Sequence, residues 1–246
     1  MEGNGFEVLR EASLPVVTIR LARPDQGNRL LTNEIRALGR AICEAGSAPD
    51  IKAVLVRASG QAFCLGRQPD TSAKAPSTAI EVREQVTQPI LDLYADIRAT
   101  PVPVIAVVQG EARGFGCALV GQCDLAISVP DAMFSMPEMD GHLPPTLAIS
   151  AVLGKVPPKR LLQMVYTRKP IGGAEALAIG LISQLAQAQD LDAAVQETLT
   201  QIVDRNRASL CAIKEYMGSA PYLDPHSAAR LASNLLAVVL SSPKDV

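Results

Sequence analysis

The residues best suited to chemistry are one carboxylate in an apolar segment and two glycine-containing turns. Glu138 stands between Pro137 and Met139, close to Phe134 and Met136. Burial among such neighbours would raise the pKa of its carboxyl group and suit it to proton transfer near neutral pH. A solvent-exposed loop glutamate is an equally good interpretation of the same residues. Glu138 is therefore a candidate acid/base whose role depends on whether the fold buries it.

Each of the two turns follows an apolar stretch that is typical of a buried strand. Gly66 comes after the stretch 53–56, and Gly114 and Gly116 come after 103–108. Glycine lets the backbone approach a ligand closely, and free N–H groups at a helix N-terminus bind negative charge. Two equivalent turns in stacked β-α units would aim two N–H groups at one point, as an oxyanion hole requires. A pyrophosphate cradle and a purely structural pair of turns remain the alternatives.

Other reactive side chains near these segments have ordinary structural explanations. Asp140 and His142 follow Glu138 and suggest a catalytic pair. The same spacing is more often a loop with a capping aspartate and a partly exposed histidine. Cys64 and Cys117 adjoin the two turns, and small buried residues are the favoured interpretation of both.

Composition excludes several classes of protein. The chain has 246 residues and a formal net charge of −2, which suits one large α/β domain and argues against a nucleic-acid binder. No apolar stretch reaches the roughly 20 residues of a membrane span, and the first residues do not resemble a signal peptide. With only two histidines, no metal site is predicted. Five widely spaced cysteines without a Cys-x-x-Cys pair predict reduced thiols and a cytoplasmic location.

Hydrophobic patterns predict strands early in the chain and helices late. Continuous apolar runs indicate strands at 16–21, 53–56, 103–108 and 124–129. Helical spacing is clearest at 35–45, 90–97 and 191–203. Pro89 is expected at a helix start or kink, and the polar, turn-rich residues 68–78 are expected to form a mobile surface loop. The predicted fold class is α/β, with a strand-rich core followed by a helical region.

Taken in order, these motifs resemble the crotonase superfamily, also called the enoyl-CoA hydratase/isomerase family. Residues 62–67, Ala-Phe-Cys-Leu-Gly-Arg, are similar to the family's A-F-x-A-G-x-D segment. Residues 103–117 are similar to its P-V-I-A-A-V-N-G-x-x-x-G-G-G segment. Residues 134–138, Phe-x-x-Pro-Glu, and the stretch 174–182 resemble two later segments. The resemblance runs from about residue 14 to about residue 240.

The resemblance implies a crotonase-like spiral of β-β-α units at residues 1–190 and a helical trimerisation region at 191–246. It implies an acyl-CoA substrate, with coenzyme A as part of that substrate and no permanently bound cofactor. It also implies a homotrimer or dimer of trimers without nucleic-acid or membrane partners. The amides of Arg67 and Phe115 would form the oxyanion hole, and the carbonyl of Leu65 would face the adenine. The implied substrate-binding positions are Leu65, Gly66, Gly114, Gly116, Ala118 and His142.

Three departures from the family's pattern shape the expected activity. Phe115 replaces the central glycine of G-G-G, so its side chain must point away if the acyl pocket is to keep its shape. Ala118 occupies the position of the first of two hydratase glutamates, which leaves Glu138 alone. The sequence also ends at residues 241–246, Ser-Ser-Pro-Lys-Asp-Val, where family members usually continue into another helix that bears basic residues.

A single carboxylate suits a 1,3-proton shift, in which one group takes a proton from one carbon and returns it two carbons away. The expected activity is therefore enoyl-CoA isomerisation or a related enolate reaction. Hydration, with Asp140, His142 or an ordered water in place of the lost carboxylate, is the first alternative, and decarboxylation is a further outcome that the same hole allows. A non-catalytic crotonase-like binding protein or partner subunit is the alternative from another class.

Overall fold

A largely parallel sheet forms the centre of the molecule, of which the computed structural model describes residues 5–70 and 75–242. The strands of these residues are β1 Phe6–Arg10, β2 Val16–Leu21, β3 Ala53–Ala58, β4 Val104–Val108, β5 Ala112–Arg113, β6 Leu125–Ser128, β7 Met133–Ser135, β8 Ile171–Gly172 and β9 Gln184–Leu185. Six of them form one sheet in the order β1-β2-β3-β4-β6-β9, in which only β1 and β2 pair antiparallel. A smaller sheet has the order β5-β7-β8.

The central strands are buried along their length, which explains their continuous apolar sequences. Every residue of β4 is buried, and β2 exposes only Arg20. Parallel strands that are covered on both sides need apolar side chains on both faces. The four strands that the sequence predicts are therefore present. The sequence pattern does not reveal β1, because this edge strand is mostly exposed and includes Glu7 and Arg10.

The helices alternate with the strands along the chain, and the last three helices follow the last strand. Their bounds are α1 Thr32–Ser47, α2 Ala79–Val82, α3 Gln88–Ala99, α4 Phe115–Gln122, α5 Thr146–Val152, α6 Pro158–Thr167, α7 Gly173–Ala178, α8 Leu191–Val203, α9 Arg207–Ser219 and α10 Pro225–Ser241. A π-helical turn at Arg83–Thr87 leads into α3, and Pro89 lies in the first turn of α3. The helical backbone continues through this point, since Thr87 and Gln88 are helical and the N–H group of Gln88 donates to the carbonyl of Arg83. Of the helix start or kink expected at Pro89, the structure shows no free helix start; Pro89 lies where the π-helical turn joins α3.

The helical region at the end of the chain begins with a helix that belongs to the core. Leu191, Val195 and Leu199 of α8 are buried in the main hydrophobic cluster. By contrast, no residue of α10 is buried. The helical C-terminal region is thus confirmed, and its division from the core at residue 190 stays a prediction.

Two further expectations concern single segments and residue types. The predicted mobile loop at 68–78 includes residues 71–74, which lie outside the described residues. All five cysteines are free. Within 5–70 and 75–242, no helix is both long enough and apolar enough to cross a membrane.

Candidate active site

The first glycine turn is joined directly to the segment that precedes the second one. The backbone N–H groups of Phe63 and Cys64 donate to the carbonyl oxygen of Glu111, at 3.0 and 3.1 Å. The N–H group of Arg113 in turn donates to the carbonyl of Cys64 at 2.9 Å. These bonds form a short parallel bridge between Cys64 and Ala112. The two turns are therefore neighbours in space, as their similar sequences predict.

The amide of Arg67 faces away from the strand-like contact that holds the first turn. The N–H group of Leu30 donates to the carbonyl of Gly66 at 3.3 Å, and the carbonyl of Leu30 accepts from the N–H group of Gln68 at 2.8 Å. In a parallel bridge of this kind, the N–H group of the intervening residue points to the opposite side. Among the described residues, the N–H group of Arg67 has no acceptor. The turn thus presents one free backbone donor.

The second turn places another free donor at the start of α4. Gly114 has φ of 54° and ψ of −114°, and its N–H group donates to the carbonyl of Ser135 at 2.8 Å. Phe115 is the first residue of α4, and its N–H group lacks an acceptor within the described chain. The first N–H groups of a helix have no helical partner and carry partial positive charge. The Phe115 side chain itself is buried, with 7% exposure.

Close backbone packing fixes α4 against the first turn. A Cβ atom added to Gly116 would collide with the carbonyl oxygen of Cys64, and it would lie 2.9 Å from the Cβ atom of Cys64. Only glycine allows the helix to approach this closely. The start of α4 and the first turn therefore lie against each other, with Arg67 and Phe115 on the two segments that meet.

Glu138 lies directly beside the start of α4. A Cβ atom on Gly114 would be 2.8 Å from the Oε1 atom of Glu138, so the carboxyl group and the Gly114 backbone are in close contact. The Oε2 atom is buried and has no hydrogen-bond partner among the described residues. Burial raises the pKa of this carboxyl group, although the Glu138 backbone N–H and Arg113 oppose the shift. Glu138 is therefore half-buried and not a fully exposed loop glutamate, and its acid/base role stays a prediction.

The remaining predicted site residues have different surroundings. Ala118 is completely buried in α4. The carbonyl of Leu65 accepts a hydrogen bond from Nη1 of Arg29 at 2.8 Å. Asp140 and His142 are exposed, and Asp140 forms an ion pair with Arg168 at 2.7 Å. The structure therefore does not bring Asp140 and His142 together with Glu138 as a buried group, and substrate contacts at Leu65, Ala118 and His142 stay predictions.

Two amide side chains hold the first turn, and sequence reasoning missed both. Nδ2 of Asn28, which is fully buried, donates to the carbonyls of Ser59 and Ala62, each at 2.8 Å. Nε2 of Gln109 donates to the carbonyls of Gly60 and Ala62, at 2.9 and 3.1 Å. An amide is suited to this task because its NH₂ group carries two donors. The available signal was a polar amide placed directly after a buried strand, as Gln109 is.

The cysteines beside the turns behave as buried packing residues. Burial raises the pKa of Cys64 to about 11 and that of Cys117 to about 12. Both thiols therefore stay protonated near neutral pH, where a thiolate would be needed for nucleophilic attack. Within the described part of the chain, no group of three or more metal-ligating side chains occurs.

Comparison with known proteins establishes the family. A profile of the family described as Enoyl-CoA hydratase/isomerase matches residues 11–239. The chain belongs to this family. It is 30% identical over 204 residues to human enoyl-CoA hydratase domain-containing protein 3, mitochondrial. The aligned region covers 83% of this chain and 65% of the relative. The mouse protein of the same name is 29% identical over 190 residues, 77% of this chain and 63% of its own length. The chain thus spans less than two thirds of each of these relatives.

Solved structures of family members confirm the crotonase-like α/β fold. A crystal structure of enoyl-CoA hydratase from Mycobacterium smegmatis superposes with a TM-score of 0.91 at 29% identity, covering 97% of this chain and 92% of that one. The human enoyl-CoA hydratase domain-containing protein 3 superposes with a TM-score of 0.88 at 26% identity, again over 97% and 92%. The superpositions extend through the helical C-terminal region of this family member.

Proposed function

We propose that this chain is an acyl-CoA-processing enzyme that stabilises a thioester enolate. The backbone amides of Arg67 and Phe115 bind the thioester oxygen, and Glu138 is the single acid/base. Coenzyme A enters and leaves as part of the substrate, with no permanently bound cofactor. The observation that carries the proposal is the buried Oε2 atom of Glu138, which has no partner among the described residues and belongs to a carboxyl group beside the free amide of Phe115.

The proposed chemistry requires two complementary groups. Removal of a proton next to a thioester moves negative charge onto the carbonyl oxygen. Fixed N–H donors stabilise that charge without reorganising, and each such donor contributes about 3–4 kcal/mol in well-studied enzymes. The carboxylate accepts the proton, and a raised pKa brings its basicity closer to the working pH. Backbone donors at Arg67 and Phe115 make the site independent of the side chains at these two positions.

Proton shift is the favoured reaction because, among the carboxyl groups of the described residues, Glu138 is the one that lies beside the start of α4. Glu138 would take a proton from one carbon of the acyl chain and return it to the carbon two positions away, so no atom is gained or lost. Ala118, at the position of the first hydratase carboxylate, has no polar side-chain atom. Asp140 and His142 are exposed, which makes them weak substitutes. Hydration with an ordered water remains the second candidate, and a non-catalytic binding protein the third.

A Glu138→Gln variant tests the acid/base role, because the amide keeps the shape of the carboxyl group and cannot accept the proton. We expect turnover of short 2-enoyl- and 3-enoyl-CoA substrates to fall by about 10²–10⁴-fold, while affinity for a saturated acyl-CoA is retained. Glu197→Gln, on an exposed position of α8, is the matched control. Survival of turnover in Glu138→Gln would refute the role given to this residue.

Product analysis in ¹⁸O-labelled water separates the candidate reactions. A 3-hydroxyacyl product that contains the label indicates hydration, whereas a shifted double bond without label indicates isomerisation. Measurable binding of acyl-CoA with no turnover across the panel would favour the non-catalytic alternative. The same wild-type protein serves all three comparisons.

We also propose a homotrimer, or a dimer of trimers, with the C-terminal helices in the subunit contacts. The support is the surface of α10, on which Leu236, Val238 and Leu240 are exposed. A cytoplasmic location follows from the five free cysteines and stays a prediction.

A further inference from the structure

Glu138 is the first residue of a short 3-10 turn, Glu138–Gly141, which we call the Glu138 turn. Residues 140–144 are all exposed, and Met139 packs only partly against the hydrophobic core. The carbonyl of Glu138 accepts from the N–H group of Leu143 at 3.1 Å, which closes the turn on itself. An exposed segment of this kind has few packing contacts to hold it in place. The direction of the Glu138 carboxyl group therefore depends on how the turn is fixed to the rest of the chain.

One ion pair joins the Glu138 turn to a helix that the core holds. Nε of Arg168 lies 2.7 Å from Oδ1 of Asp140. Nη1 of Arg168 also donates to the carbonyl of Tyr166 at 3.1 Å, which fixes the guanidinium group against the end of its own helix, α6. Three residues of α6 are buried: Leu161, Met164 and Val165. The exposed turn is thus connected to a buried helix through two charged side chains.

Both elements that this ion pair joins end in a left-handed backbone conformation. His142 ends the Glu138 turn with φ of 56°, and Arg168 ends α6 with φ of 57°. Within 5–70 and 75–242, Asn28 is the one other non-glycine residue with a positive φ. Glycine is the usual residue in this conformation at a helix end, because a Cβ atom is crowded there. An arginine at such a position indicates that its side chain has a role that compensates for the strain.

We propose that Asp140 and Arg168 are positioning residues for the carboxyl group of Glu138. Their ion pair holds the Glu138 turn so that the carboxyl group stays beside the start of α4, where Oε1 would lie 2.8 Å from a Cβ atom on Gly114. The inference rests on the proposed function, because it takes Glu138 as the acid/base. It gives Asp140 a role through Glu138, in place of the direct role that hydration by Asp140 would require.

The first test removes either charge without adding a new one. Water and salt screen an exposed ion pair, so its contribution is modest. In Asp140→Asn and in Arg168→Gln, kcat should fall by about 2- to 5-fold, and KM for the acyl-CoA should stay within about 2-fold of the wild type. Glu7→Gln and Arg20→Gln are the matched controls, because Glu7 and Arg20 form an ion pair of similar exposure between β1 and β2. We expect both controls to keep the wild-type kcat.

Exchanging the two charges separates positioning from catalysis. An ion pair of either polarity can hold the turn, so Asp140→Arg combined with Arg168→Asp should restore kcat to within about 2-fold of the wild type. Each of these two changes alone places like charges together and should lower kcat more than the neutral variant at the same position does. If Asp140 were itself the acid/base, arginine at its position would not restore turnover.

A second background tests whether the ion pair acts through Glu138. Asp140→Asn added to Glu138→Gln should cause no further loss of kcat, because the carboxyl group that Asp140 positions is already absent. A further loss of 2-fold or more, about the size expected of the single change, would mean that Asp140 acts elsewhere and would overturn the inference. Because this arm and the neutral variants do not need the exchanged pair, poor folding of the exchanged pair does not remove the test.

The outcomes also separate this inference from the function on which it rests. Wild-type protein that turns over no acyl-CoA would overturn both. Active wild-type protein with an unchanged kcat in Asp140→Asn and Arg168→Gln would overturn the positioning role alone. The same conclusion follows if the exchanged pair folds and stays impaired, or if the Glu7 and Arg20 controls lose as much kcat as the Asp140 and Arg168 variants.

Discussion

Two apolar helices of this chain have opposite surroundings. Each of the eight residues of α4 is buried, whereas none of the 17 residues of α10 is. Leu236, Val238 and Leu240 of α10 are 59%, 60% and 77% exposed. Apolar sequence therefore does not by itself decide whether a helix is covered by its own chain.

The difference shows that α4 is covered by its own chain, whereas the apolar residues of α10 are left exposed. α4 is pressed against the first glycine turn by backbone contacts, so both proposed oxyanion donors are positioned within one chain. α10 has an apolar surface that nothing in the described chain covers. Contiguous exposed apolar surface on a folded protein usually marks an interface. Changes in α4 should therefore affect folding and chemistry, and changes on the outer face of α10 should affect association.

Gly116→Ala should have the largest effect, because it removes the close approach that holds α4. Alanine is intrinsically better than glycine in a helix by about 1 kcal/mol. The added Cβ atom would collide with the carbonyl oxygen of Cys64, and backbone cannot move aside as a side chain can. Overpacking usually costs about 1–3 kcal/mol, and we expect a net loss near the upper end of that range. Urea unfolding measures this loss in the free energy of unfolding, provided that the m-value of the variant equals that of the wild type.

The control for this prediction is Gly218→Ala, in α9. A Cβ atom there meets nothing within 4 Å, so only the helix preference remains. We expect Gly218→Ala to be neutral or to stabilise by up to about 1 kcal/mol. If the two variants unfold at the same urea concentration, the close packing of α4 on the first turn does not matter for stability.

The combined change Leu236→Glu and Leu240→Glu tests the other side of the comparison. Both side chains are exposed, so the stability of the isolated chain should stay within about 0.5 kcal/mol. The added charges would be buried in a subunit contact, where an unpaired charge is strongly unfavourable. Sedimentation velocity should show the proposed trimer, or dimer of trimers, for the wild type and smaller species for the double variant. Asn234→Glu is the control, and a fully retained oligomer in the double variant would place the interface elsewhere.

The sequence predicts the local structure of α4 well because several local signals agree. The apolar run that becomes β4, the glycines at 114 and 116 and the small residues after them all indicate a strand, a tight turn and a buried helix. The proximity of Gly66 to this turn was also predictable from the similar sequences of the two segments. These features depend on interactions between residues that are close along the chain or in equivalent units.

Contacts between distant side chains were not predictable in the same way. Asn28 contacts the carbonyl of Ala62 only because the fold brings separate elements together. No local spacing records this contact. Whether Glu138 is buried also depends on the position of α4, so the sequence left two interpretations equal.

Asp224→Ala should have the smallest effect and shows how α10 is maintained without burial. The Asp224 carboxylate accepts hydrogen bonds from the backbone N–H groups of His226 and Ser227, at 3.0 and 3.1 Å. Bonds from the side chain and backbone of Ser227, and from His226, lower the pKa of Asp224. A lowered folded-state pKa means that the stabilisation is present above the ordinary aspartate pKa and is lost as the pH falls through the lowered value. Hydrogen exchange should therefore be faster in the first turn of α10 in Asp224→Ala than in the wild type at neutral pH, and the difference should disappear in acid. An unchanged exchange rate at neutral pH would mean that contacts with α9, and not the cap, fix the start of α10.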